Sequence, residues 1–216
     1  MNRFIFFLYL TRETQMSYGR LIVIEGLDGV GKSTLIRNVS SELENSVVVT
    51  LPRCNDQIAK DLGQAAYAER DNCLYGLMLM TSKLIAIKKD IIPLLEKGKT
   101  VIVDRWLNST LVYGCIRQPD LMLPMAEFVS NYPEYEHPEM VIHLNASKDQ
   151  RVNRLASRDT TLDPDELHSI ANHDQYSELY DGSFILLGQE SILKTVTATD
   201  NPKHDSRLVL NLIGDK

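Results

Sequence analysis

The chain has 216 residues, 44% of them hydrophobic, which suits one domain with a full core. Its net charge of −6 and pI near 5.4 exclude a general binder of nucleic acid or of a membrane surface, because such partners need a clustered basic surface. Three cysteines, Cys54, Cys73 and Cys115, form no C-x-x-C, so no disulfide framework is expected and a reducing cytoplasm is the default.

Taken in order, the chain opens on an apolar run, Phe4 to Leu10, too short to span a bilayer and followed by no small-residue cleavage site. Residues 1–16 therefore read as an extension or a mis-called start, and residues 17–216 as a single domain. Leu21 to Ile24 is a buried strand that stops at Gly26. The turn after it fits G-x-x-x-x-G-K-[ST], with Gly26, Gly31, Lys32 and Ser33 in the required places and a helix pattern (Leu35, Ile36, Val39, Leu43) behind it. Glycines, Gly29 among them, let the backbone close on phosphate oxygens, and the N–H groups at the helix start, through Ser33 and Thr34, favour an anion. Lys32 would neutralise nucleotide phosphates and the Ser33 hydroxyl would meet Mg²⁺. The expected donor is ATP.

Residues 46–51 form a second strand ended by Pro52, and residues 56–69 an amphipathic helix with Ile58, Leu62 and Ala65 on its apolar side. Residues 74–95 are apolar on nearly every side, which predicts a helix buried on more than one face, its outer side meeting a partner subunit. Gly98 stops that helix, and Thr100 to Val103 is a third buried strand ending in Asp104-Arg105. Helices are expected over 108–116 and 121–129, then a loop over 132–138, a strand over 140–144, helices over 147–157 and 164–180, a strand over 193–198 and a last helix over 204–212. His168 and His173 read as solvated helix residues rather than metal ligands. Near-continuously apolar strands alternating with helices predict an α/β fold, a doubly wound five-stranded parallel sheet of the P-loop NTPase type.

Ligands of such sheets gather at the carboxyl ends of the strands, where Asp104 and Arg105 fall. Asp104 suits Mg²⁺ or the orienting of an attacking group, and Arg105 a bidentate grip on phosphate; a surface ion pair closing the strand is the plainer reading.

With these stretches in hand the chain resembles the thymidylate kinases of the nucleoside-monophosphate kinase class. The resemblance rests on residues 24–34, Leu51-Pro52-Arg53, the run Asp104-Arg105-Trp106-Leu107-Asn108-Ser109-Thr110-Leu111-Val112-Tyr113, and residues 154–159, in the family's order. It implies transfer of the ATP γ-phosphoryl group to dTMP with Mg²⁺, and a homodimer; a kinase for another or modified deoxynucleoside monophosphate is the alternative. It also implies that Asp28 serves the acceptor sugar and phosphate region, that Arg53 and Arg105 grip the acceptor phosphate, and that Tyr113 lies beneath the deoxyribose. Ser109 and Thr110 belong to the same motif, and Tyr176 matches a position near the base.

A phosphoryl-transfer transition state spreads charge that some cation must cover, and positions 27–30 hold no arginine. The lid, around 151–164, must supply it, with Arg154 and Arg158 favoured. Arg151 is balanced between that role and an ordinary solvated helix position. The base end departs from the family pattern: Leu79 stands where an aromatic ring stacks on thymine, and Lys83 where an arginine reads the base.

Overall fold

The computed structural model describes residues 18–52, 55–69, 72–117, 120, 124–125, 127–128, 131–132, 136–158 and 161–214. Arg53 and most of the helix expected over 121–129 lie outside them. Among the described residues, strands β1 (Leu21–Glu25), β2 (Ser46–Thr50), β3 (Thr100–Asp104), β4 (Met140–Asn145) and β5 (Leu193–Thr197) form one sheet in the order β2-β3-β1-β4-β5, every pair parallel. The three inner strands are built from β-branched and aliphatic residues and are buried almost throughout, whereas the edge strands β2 and β5 expose part of their length. β1 is central, and its register sets Ile24 beside Asp104 and Glu25 beside His143.

The connecting helices are α1 (Lys32–Glu42), α2 (Gln57–Ala68), α3 (Asn72–Ala86), α4 (Ile92–Glu96), α5 (Leu107–Arg117), α6 (Lys148–Ala156), α7 (Pro164–Ala171), α8 (His173–Leu186) and α9 (Pro202–Gly214). Helix α1 packs with α9, while α5 packs against α3 and α8. This is the doubly wound arrangement expected. A π-helical segment, Ile87–Ile91, joins α3 to α4, and the Ile92 N–H reaches back five residues to the Ile87 carbonyl. Pro93 accounts for it: the ring has no N–H and would press on the carbonyl four residues earlier, and a wider turn relieves both.

Two expectations are corrected. Helix α2 buries Ala59, Gly63 and Ala66 and leaves Ile58 58% exposed, because its small residues allow close approach to α3, which the larger apolar ones would prevent. The helix foreseen over 164–180 is two helices broken at Asn172, whose side-chain amide donates to the His168 carbonyl at 3.0 Å and so competes with helix continuation; the second runs on to Leu186.

Candidate active site

The site forms where β1 and β3 end. Beyond Glu25 the chain turns through Gly26 (φ 143°) and Gly29 (φ 82°), conformations closed to most residues. A Cβ on Gly26 would stand 2.2 Å from the Leu144 carbonyl oxygen, and one on Gly29 would meet Leu155 at 2.8 Å, so the loop is pressed against β4 and α6. Gly31 caps α1, and Ser33 and Thr34 occupy its first turn. The buried Lys32 ammonium donates to the Gly26 and Leu27 carbonyls, both at 2.8 Å. Burial, reinforced by Arg105, pushes its pKa down to about 8, against the pull of Asp28, Asp104 and Glu25.

On β3, Asp104 ends the strand and Arg105 leaves it at φ 70°, a left-handed conformation unusual for arginine, with its N–H donating to the Ile24 carbonyl at 3.0 Å. That turn aims the guanidinium back across β1. It pairs with the Asp28 carboxylate and donates to Ser109 Oγ at 3.1 Å, with its carbon 5.7 Å from the centre of the Tyr113 ring. Tyr113, two turns along α5, donates its hydroxyl to the other Asp28 oxygen. Burial alone would raise the Asp28 pKa, but Arg105, Lys32 and the Tyr113 hydrogen bond outweigh it and hold the carboxyl well below its usual range. Asp28, Arg105, Ser109 and Tyr113 are therefore one ionised, hydrogen-bonded cluster.

Beneath it lies a residue the sequence reading missed. Glu25 is fully buried, and its carboxylate accepts from the backbone N–H of Trp106 (2.5 Å) and of Ser109 (3.1 Å) and from the Ser109 hydroxyl (2.6 Å). It closes the start of α5 as an N-terminal acidic group does, favoured there by the helix dipole. The signal was a lone carboxylate ending an apolar strand directly before the glycine loop.

Two openings flank the cluster. A cleft of about 250 Å³ is lined by Asp28, Arg105, Ser109, Thr110 and Tyr113 on one side, by Leu51, Pro52 and the buried Tyr75, Leu79 and Lys83 on the other, and by Tyr67, Asp163, Asp165 and Glu166 around its mouth. Tyr75, Leu79 and Lys83 follow at four-residue spacing on one face of α3, and all three line the cleft. Tyr67 and Tyr75 meet edge to face at 6.3 Å. The buried Thr110 hydroxyl has no hydrogen-bond partner among the described residues. A second opening, about 550 Å³, is lined by Asp28, Gly29, Gly31, Lys32, Ser33, Thr34, Asp104, Arg105, Arg154 and Arg158. Next to it a pocket of about 270 Å³ runs between the phosphate loop and residues 199–205.

Three further site expectations change. Arg151 is fully buried rather than solvated, because it lies on the same face of α6 as Leu155. Lys83 lines the cleft, but its ammonium is turned to the Trp106 carbonyl, and burial pushes its pKa down to about 8. Tyr176 is buried behind Tyr113, in edge-to-face contact at 5.4 Å, and does not line the cleft. The lid arginines differ: Arg154 donates to the Val30 and Thr199 carbonyls at 2.8 Å each, while Arg158 is more exposed and pairs with Glu166 at 2.8 Å. His168 is exposed as expected, though its ring meets the Tyr176 hydroxyl at 3.1 Å, and His173 is half-buried.

Among the described residues no three His, Cys, Asp or Glu side chains gather to hold a metal ion by themselves. Asp104 Oδ1 is buried with no hydrogen-bond partner among the described residues, and Asp104 and Ser33 line the same opening. One carboxylate and one hydroxyl fit Mg²⁺ that takes its remaining ligands from phosphate and water.

The profile of one protein family, thymidylate kinase, matches residues 24–201. A thymidylate kinase of Caldicellulosiruptor saccharolyticus is 31% identical over 173 residues, covering 76% of this chain and 81% of that protein. One of Acinetobacter baumannii is 26% identical over 193 residues, covering 84% and 93%. A solved thymidylate kinase structure from Candida albicans superposes with a TM-score of 0.71 at 18% identity over 92% of each chain, a likeness of fold.

Proposed function

The chain belongs to the thymidylate kinase family and is a nucleoside-monophosphate kinase, and from that premise we propose that it transfers the γ-phosphoryl group of ATP to dTMP, giving dTDP and ADP. The observation that carries the reading is the Asp28–Arg105–Tyr113 cluster, which ties the wall of the acceptor cleft to the phosphate loop through one carboxylate. In this reading ATP lies along the loop with its base toward residues 199–205, and the acceptor enters the 250 Å³ cleft with its phosphate at Arg105.

The bond from the γ-phosphorus to its β-bridging oxygen breaks as a bond to an acceptor phosphate oxygen forms. That oxygen is already anionic, so no strong base is needed, and catalysis is positioning and charge neutralisation. Lys32 would cover the β- and γ-phosphates, Arg105 the acceptor phosphate, and Arg154 and Arg158 the charge spread over the transferred group. Asp104 and Ser33 would hold Mg²⁺, which would add positive charge to neutralise the phosphates. Asp28 keeps Arg105 aimed, and Arg53 would add a second phosphate contact. The Tyr113 ring, pinned by its hydroxyl, would crowd a 2′-hydroxyl. Thr110 supplies an unused hydroxyl and Leu79 an apolar wall for a pyrimidine.

Residues 17–216 act as one kinase domain with a lid around 151–164. No described helix is long and apolar enough to cross a membrane, and dependence on ATP fits the cytoplasm. Leu74 and Leu77 on α3 are 45% and 51% exposed, a surface that a second copy would cover in a homodimer. Steady-state assays with Mg-ATP over dTMP, dUMP, dCMP, dGMP and ribo-TMP test the acceptor: dTMP should have the highest kcat/KM, and preference for another deoxynucleotide would move the assignment to it.

A further inference from the structure

Arg151 is the one large cation of α6 buried completely, and its guanidinium reaches three separate parts of the fold. Nε donates to the Asp28 carbonyl at 2.7 Å in the phosphate loop. Nη2 donates to Ser169 Oγ at 2.9 Å and Nη1 to the Ser169 carbonyl at 3.2 Å, both in the last turn of α7. Nη1 also meets His173 Nδ1 at 2.8 Å, in the first turn of α8. These partners are all neutral, and no carboxylate among the described residues hydrogen-bonds the guanidinium. Its burial carries a desolvation cost, partly offset here because the last-turn carbonyls of α7 lack helical partners and carry the negative end of its dipole. Burial and the adjoining guanidinium push the His173 imidazole below its ordinary pKa, which keeps Nδ1 an acceptor.

What these three anchors share is the acceptor cleft. The side chain of Asp28 holds Arg105 and Tyr113. The start of α7, with Asp163, Asp165 and Glu166, walls the mouth of the cleft. Helix α8 presents Tyr176 to the Tyr113 ring at 5.4 Å. We propose that Arg151 is a positioning residue that locks the phosphate loop to α7 and α8, so that the Asp28–Arg105–Tyr113 cluster is held in its acceptor-binding geometry only while those helices are docked. This rests on the reading of the cleft as the acceptor site. It assigns the cluster a dependence on the lid side of the molecule that none of its own side chains reveals.

Arg151→Met, Arg151→Lys, Ser169→Ala and His173→Gln test it, by KM for each substrate and by amide hydrogen exchange. Arg151→Met should raise the KM for dTMP about tenfold or more, since misplacement of an anchoring group is felt directly at the bound substrate. The KM for ATP should stay within about twofold, because Arg154 and the loop amides on the donor side keep their contacts. Arg151→Lys should fall between, as one ammonium cannot hold three elements at once. Exchange should accelerate together in residues 27–29 and 164–176 and stay unchanged at Gly31 to Thr34, in β1 and in β3. Should Arg151→Met fail to fold, Ser169→Ala and His173→Gln must show the same selective rise in the dTMP KM, about twofold or more. Both KM values unchanged with kcat falling only in step with the folded fraction, or exchange unchanged in the loop, would overturn the proposal. If the unmodified chain phosphorylates no monophosphate, the functional reading fails instead, and the exchange experiment still decides the coupling.

Discussion

Tyr113 shows how much of the site hangs on single atoms. Its ring and its hydroxyl have separable duties: the ring walls the cleft, and the hydroxyl binds the ionised Asp28. Tyr113→Phe keeps the ring and removes one hydrogen bond to a charged group, worth about 1.5 kcal/mol or more. We expect kcat/KM for dTMP to fall about tenfold while discrimination against ribo-TMP persists; loss of that discrimination would show that the hydroxyl, not the ring, excludes the ribose. Lys83 makes a different prediction. Its pKa is pushed down to about 8 from an ordinary 10.5 by burial, so between those values the native chain has released a proton that the unfolded chain retains. The unfolded state then binds more protons, and stability rises with pH across that window and is lost as pH falls through 8. Lys32 titrates in the same range, so Lys83→Met should remove roughly half of the rise, read from urea unfolding at pH values of about 8 and 10. An undiminished rise would place the titration elsewhere. At this scale the sequence was legible for the placement of Gly26, Lys32, Asp104 and Arg105, which the motif spacing and the strand ends bring together. It was not legible for Arg151, since an arginine three residues before Arg154 on a polar helix gives no sign that the fold will bury it.

Individual elements owe their placement to a few buried polar contacts as much as to apolar patterning. Helix α5 starts where Glu25 receives the Trp106 and Ser109 N–H groups, while the Trp106 carbonyl is held by Lys83. One carboxylate thus fixes the direction of the helix that carries Ser109, Thr110 and Tyr113. Glu25→Gln keeps the size but loses the charge, and its amide nitrogen would face the Ser109 and Tyr180 hydroxyls, which now donate to the carboxylate and would have to reverse. We expect a loss of about 2 kcal/mol in unfolding free energy, together with a fall in kcat/KM that is steeper than the stability loss explains. A variant with unchanged kcat/KM would show that α5 is placed by packing alone. The strands could be read from their apolar runs because a buried parallel strand has no polar side to confuse the pattern. Helix faces were harder: α2 turns Ala59, Gly63 and Ala66 inward and Ile58 outward, a choice made by how closely α3 approaches and not by hydrophobicity.

Over the whole molecule, the strand order β2-β3-β1-β4-β5 sets the ends of β1 and β3 side by side, and with them the phosphate loop, Asp104 and Arg105. Alternation of strand and helix made that architecture legible; the two-sided cleft was not, because α3, α5 and the start of α7 meet there from separate parts of the chain. The exposed α3 leucines predict a dimer, and sedimentation at micromolar concentration should give twice the chain mass of 24.5 kDa. A single-chain mass would remove the partner from the account. The most direct test is transfer itself: purified chain, Mg-ATP and dTMP, with dTDP and ADP quantified together, beside Arg105→Met. The two products should appear in equal amounts, and the variant should lose about a thousandfold in kcat/KM for dTMP. ADP formed without dTDP, or full activity in Arg105→Met, would contradict the proposed transfer.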